Sequence, residues 1–176
     1  YVLMSDGEQV KGQVAEARRI AAHHGLTGIT VLVDFNDIQI SGRTGDIMKA
    51  DLPGLWKVDG WSVTECDGHD PRALYKALAE ARSSERPTVV ICHTVMGKGV
   101  SFMEGVPDYH GKAASGERYL QAMAELGASP AMLGPGVPGG ALMVFNTLTF
   151  VAFFAIVLAL NALPFMDFNI REACSI

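Results

Sequence analysis

Runs of basic residues are missing from this chain: its 14 lysines and arginines are scattered among 19 aspartates and glutamates, giving a net charge of −5. Without a basic stripe to track a phosphodiester backbone, nucleic acid is excluded as an expected partner. Cysteine is also scarce. Cys66, Cys92 and Cys174 are odd in number, lack C-x-x-C spacing and have no histidine pair nearby, which argues against a disulfide framework and a zinc site. Cys66 and Cys92 are expected as small apolar strand residues in a reducing cytosol. The opening Tyr1-Val2-Leu3-Met4 has no initiator methionine, basic segment or small-residue cleavage site. It reads as a buried strand, and the chain is expected to be truncated before it. Finally, no charged residue occurs between Glu125 and Asp167, so the sequence divides into a well-charged first part and an uncharged tail.

With 176 residues there is room for one domain with a proper core plus an appendage. Four runs rich in apolar or β-branched residues read as strands: Tyr1 to Met4, Ile29 to Val33, Ser62 to Glu65 and Thr88 to Cys92. Helical patterns lie between them. From Glu8 to His24, Val10, Val14, Ala17, Ile20 and Ala21 recur at helical spacing, and Gly25 ends the pattern. Asp70-Pro71 supplies an N-cap and a first-turn proline for a second helix, with Leu74, Leu78 and Ala81 on one face. Alternating strands and helices predict an α/β fold, a parallel sheet with helices on both faces. Ligands of such sheets lie beyond the carboxyl ends of the strands.

Those ends carry polar residues. The first strand runs into Ser5-Asp6-Gly7, where a carboxylate can hold a divalent cation and glycine permits close backbone approach to a phosphate. The second runs into Asp34-Phe35-Asn36-Asp37-Ile38-Gln39, offering a side-chain amide and backbone carbonyls. These are hard oxygen donors of the kind magnesium prefers. Each fragment alone is an ordinary turn.

Together they resemble the thiamine-diphosphate motif of the transketolase family. The likeness rests on Asp6-Gly7-Glu8, the Ala-rich stretch from Gln13 to Ala22, and Asn36-Asp37-Ile38-Gln39-Ile40-Ser41-Gly42. It continues in order with Gly60-Trp61, Asp67-Gly68-His69-Asp70, Gly97-Lys98-Gly99-Val100 and Asp108-Tyr109-His110-Gly111. The resemblance covers residues 1–127 and implies a partial thiamine-diphosphate-binding domain. It makes Asp6, Asn36 and the backbone carbonyl of Ile38 ligands of Mg2+ or Ca2+. Gly7 would approach the diphosphate, His110 would hydrogen-bond it, and Ile40 and Met96 would contact the thiazolium ring. His69 and Asp70 are read either as a turn with a helix cap or as ligand contacts. Two positions depart from the family: Ser5 stands where glycine is usual, and Lys11 where many members have a glutamate that joins two active sites of a dimer.

The resemblance further implies two-carbon ketol transfer between sugar phosphates in a complete dimeric enzyme. A pyrimidine-binding domain or subunit, carrying the glutamate that activates the cofactor, must come from elsewhere, so no residue of this chain is assigned as catalytic and the chain alone is expected to be inactive. The alternatives are a fragment similar to deoxyxylulose-phosphate synthase and a non-catalytic, membrane-tethered relic of the fold. Beyond the domain, 128–140 reads as a Gly/Pro-rich linker and 141–166 as a hydrophobic helix long enough to cross a membrane. Residues 167–176 form a tail. A cytoplasmic domain anchored by 141–166 is expected, while Met143-Val144-Phe145-Asn146-Thr147-Leu148-Thr149-Phe150 is similar to the opening of membrane-bound O-acyltransferases, which points to a fusion.

Overall fold

The computed structural model describes residues 1–128, and the expected linker, hydrophobic helix and tail lie outside the described residues apart from Ala128. Four strands form one parallel sheet: β1 (Val2–Ser5), β2 (Thr30–Phe35), β5 (Ser62–Asp67) and β6 (Thr88–His93), in the order β1-β2-β6-β5. The four expected runs are all there, each extending to the residues that precede a polar turn. A short antiparallel hairpin, β3 (Ile38–Gln39) with β4 (Gly42–Arg43), sits directly after β2.

The sheet is covered on both faces, as the sequence implies. Alternate residues of β2 and β6 point to opposite sides, and two apolar clusters result. Val31, Val33, Val89 and Ile91 pack with Ala21 of α1 (Gly12–His23) and with Leu52 and Trp56 of α3 (Leu52–Val58). Leu32, Val90 and Cys92 pack with Leu74, Ala77 and Leu78 of α4 (Pro71–Arg82). Helix α4 begins as predicted, with the Asp70 side chain accepting from the Arg72 N–H at 2.9 Å and proline in the first turn. A single-turn α2 (Thr44–Ile47) follows the hairpin, and α5 (Glu117–Glu125) closes over the loop after β6 through Val100, Met103 and Ala122. Among the described residues no helix is long and apolar enough to cross a membrane.

Two readings are corrected. The run Tyr1 to Met4 is not buried: among the described residues only β2 flanks β1, which leaves it an edge strand with Tyr1, Val2 and Leu3 exposed. The helix expected from Glu8 is also broken. A 3₁₀ turn (Gly7–Val10) ends at an extended Lys11, and α1 starts only at Gly12. Within α1, Arg18 is 3 % exposed while Ile20 is 57 % exposed.

Candidate cofactor-binding site

Register places the strand ends in a row. Ser5 lies beside Asp34, Phe35 beside His93 and Asp67 beside His93, so the residues that follow each strand share one edge of the sheet. The ladder continues one step into the turns, with amides of Asp6, Thr94 and Gly68 donating to the carbonyls of Asp34, Phe35 and His93 at 3.1, 3.0 and 2.8 Å.

Asp6, directly after the edge strand β1, stands at one end of this row and is only 2 % exposed. Its Oδ2 accepts the amide N–H groups of Asn36 at 3.1 Å and Asp37 at 2.6 Å, which binds together the two expected metal-ligand segments. Its Oδ1 is buried with no hydrogen-bond partner among the described residues. Burial pushes the Asp6 carboxyl above its usual range, against the lowering effect of the amides of Asp37, Gly7 and Asn36, and the nearby Asp34 charge adds to the rise. A buried carboxylate oxygen without a donor is the chemistry that a cation satisfies. These residue types could therefore take a divalent ion through one carboxylate, one amide oxygen and a carbonyl rather than through a cluster of acids. Among the described residues no group of three His, Cys, Asp or Glu side chains could hold a metal.

Asn36 is oriented on both sides. Its Nδ2 donates to Asp34 Oδ2 at 3.4 Å and its Oδ1 accepts from the Ile38 N–H at 2.9 Å. Asp34 also accepts a hydrogen bond from the Thr94 hydroxyl, which ties β2 to the loop after β6. Asp37 has φ of 61°, the left-handed region that a short polar side chain tolerates. It is held there by Thr44, whose hydroxyl donates to its carboxylate at 2.6 Å and whose amide donates to its carbonyl at 3.1 Å. None of Asp34, Asp37, Thr94 or Thr44 was given a role from sequence. Asp34 and Asp37 lay inside the recognised turn, whereas Thr94 carries no local signal.

The remaining expected residues fall in different places. At Gly7 a Cβ would come within 2.9 Å of Gln39 Cβ, so the protein itself requires glycine there. Ser5 is accommodated as the last residue of β1, its N–H donating to Glu8 Oε1 at 2.9 Å. Ile40, at the hairpin tip, is 81 % exposed and joins no core cluster among the described residues. Met96 is 6 % exposed, already packed into the loop after β6. His110 is exposed, just after a 3₁₀ turn (Pro107–Tyr109) that packs near β4. Asp70 caps α4, and His69 turns back to the loop after β6, its Nε2 accepting the Val95 N–H at 2.7 Å. Lys11 is exposed at the break before α1.

Comparison with known proteins matches residues 1–133 to the family model described as transketolase, thiamine diphosphate binding domain. One of the subunits of an apulose-4-phosphate transketolase from Actinobacillus succinogenes is 38 % identical over 127 residues, covering 72 % of this chain and 46 % of that protein. A transketolase from Cereibacter sphaeroides is 35 % identical over 127 residues, covering 72 % of this chain and 19 % of that protein. The solved structure of transketolase from Leishmania mexicana superposes with a TM-score of 0.69 at 26 % identity, over 92 % of this chain and 23 % of that one. The chain thus spans less than half the length of these relatives. The likeness of the tail to membrane-bound acyltransferases finds no support in these comparisons.

Proposed function

The chain belongs to the family of transketolase thiamine-diphosphate-binding domains, and from that premise we propose that it supplies the diphosphate-and-metal half of a two-carbon ketol transferase acting on sugar phosphates. The observation that carries this reading is Asp6, buried at the sheet edge with one oxygen held by two backbone amides and the other without a donor. Asp6 and Asn36 with the Ile38 carbonyl would hold Mg2+ or Ca2+. Gly7 would let the backbone lie against the diphosphate and His110 would hydrogen-bond it, with Ile40 and Met96 flanking the thiazolium ring. Thiamine diphosphate, when bound, supplies the nucleophilic carbon and electron sink for cleaving a ketose carbon–carbon bond. This chain's own part is to bind and orient.

The contacts on the pyrimidine side would come from a partner domain or subunit. Relatives named as transketolase subunits, among them the one from the apulose-4-phosphate enzyme, support a split enzyme of this kind. The full chain should therefore bind thiamine diphosphate weakly, and only with the divalent ion present. Titration calorimetry of wild type against Asp6→Ala tests this: the variant should lose about ten-fold or more in affinity, on the order of a lost charge-assisted contact. Equal heats and affinities in the presence of magnesium would remove the proposed site.

A further inference from the structure

The Asp67–Asp70 turn and the loop after β6 meet through one side chain. His69 has its own amide fixed on Asp67 Oδ1 at 2.8 Å, and its Nε2 accepts the Val95 N–H at 2.7 Å. A ring nitrogen that accepts carries no proton, so the neutral imidazole must be protonated on Nδ1. Gly68 makes the approach possible: a Cβ there would lie 2.5 Å from the Thr94 methyl and 3.1 Å from Cys92 Cβ. Val95 stands between two anchored neighbours. Before it, the Thr94 hydroxyl donates to Asp34, the carboxylate that also accepts from Asn36. After it, the Met96 carbonyl accepts from the Gly105 N–H at 2.9 Å, and Gly97 turns the chain at φ of 71°.

We infer that His69 is a positioning residue of the cofactor half-site, whose neutral imidazole fixes the Val95 amide and thereby holds Met96 and the Thr94–Asp34–Asn36 chain in place. The inference rests on the function proposed above. The charged groups around the ring are Lys98 on the same loop, Asp67 on its own turn, Asp34 at the end of β2, and Glu104. The three carboxylates favour protonation, but burial and Lys98 outweigh them, so His69 titrates below the ordinary histidine range and stays neutral at physiological pH. Acid would turn Nε2 into a donor facing another donor. The hydrogen bond is therefore kept at the ordinary histidine value, about 6.5, and is lost only as pH falls further, through the lowered folded value.

Nitrogen NMR of the imidazole and amide exchange of Val95, both on the full chain, test the contact without any cofactor. Nε2 should be unprotonated and Nδ1 protonated at pH 7.5. Val95 protection should fall about ten-fold in His69→Ala and persist in His69→Gln, whose amide oxygen can accept the same N–H. Protection in the wild type should drop in acid while that of the glutamine variant stays flat. Calorimetry with thiamine diphosphate and magnesium should show the same order, with His69→Ala weakest. A protonated Nε2, or equal Val95 protection in wild type and His69→Ala, overturns the inference. So does unchanged cofactor affinity in an alanine variant that has lost the protection. If the hydrogen bond behaves as stated but no form binds thiamine diphosphate, the proposed function falls instead.

Discussion

Asp6 costs the ligand-free fold stability, because its carboxylate is buried and its Oδ1 has no partner among the described residues. With the folded pKa raised by burial, the protonated form is the one the fold favours. The associated stability is present in full below the ordinary aspartate range and is lost as pH rises through the elevated folded value. Near neutral pH the charge is therefore a liability that a bound cation would relieve, a trade seen where sites hold groups for ligands. Asp6→Asn keeps an oxygen for the Asn36 and Asp37 amides and removes the charge. In chelator its melting midpoint should exceed that of wild type by about 2–4 °C, as expected for about 1 kcal/mol in a chain of this size, and the gap should widen from pH 5 to pH 8. Magnesium should stabilise only the wild type. A lower midpoint for Asp6→Asn in chelator would show that the charge supports the fold rather than a ligand. At this scale Asp6 and Asn36 stand out in the sequence because they belong to local turns with a familiar separation, and the fold brings them together. It could not disclose that Thr94 steadies Asp34, a contact 60 residues apart, since a threonine ending a β-rich run is what any strand would have.

Elements with strong local punctuation were legible. Asp70-Pro71 started α4 where expected, and the apolar residues assigned to its face are buried. Helix α1 was harder, because its boundary depends on one extended residue and its buried face on distant partners. Arg18 is buried only because Asp59 pairs with it at 2.9 Å, the Trp56 ring lies 5.1 Å beneath it, and Trp61 donates to its carbonyl at 2.9 Å. No helical period could reveal this. Likewise β1 looked interior by composition, yet burial is a property of neighbours. The break at Lys11 has a consequence for stability: it occupies the N-cap of α1 with extended backbone angles and makes no side-chain cap, and its charge opposes the positive end of the helix dipole. Lys11→Asp should place an acceptor over the first-turn amides and reverse the unfavourable charge. Denaturant melts should show stabilisation of about 1 kcal/mol with an unchanged slope. No gain would indicate that the 3₁₀ turn, not the missing cap, sets the start of the helix.

At the scale of the molecule, the described fold gathers Asp6, Gly7 and Asn36 at one sheet edge, and it leaves Ile40 open at the tip of the hairpin after β2. The thiamine cofactor has a second, pyrimidine end, and among the described residues the recognised motif segments account only for the diphosphate and thiazolium contacts proposed for them. Half of a cofactor's contacts give weak binding and no orientation, and reactions that depend on near-attack geometry suffer most from that loss. Adding the missing half should therefore raise activity far more than affinity alone would suggest. We expect no ketol transfer from a five-carbon ketose phosphate to an aldose phosphate by the full chain alone. Turnover should appear when a pyrimidine-binding domain from a split transketolase relative is supplied, and should saturate as that partner is titrated. Asp6→Ala should abolish the reconstituted rate, whereas Lys11→Asp, which lies at a helix start, should still support it. A coupled assay of aldose-phosphate release measures this directly. Turnover by the chain without a partner would mean that the activating group lies within these 176 residues, and the reading of a half-site would then be wrong.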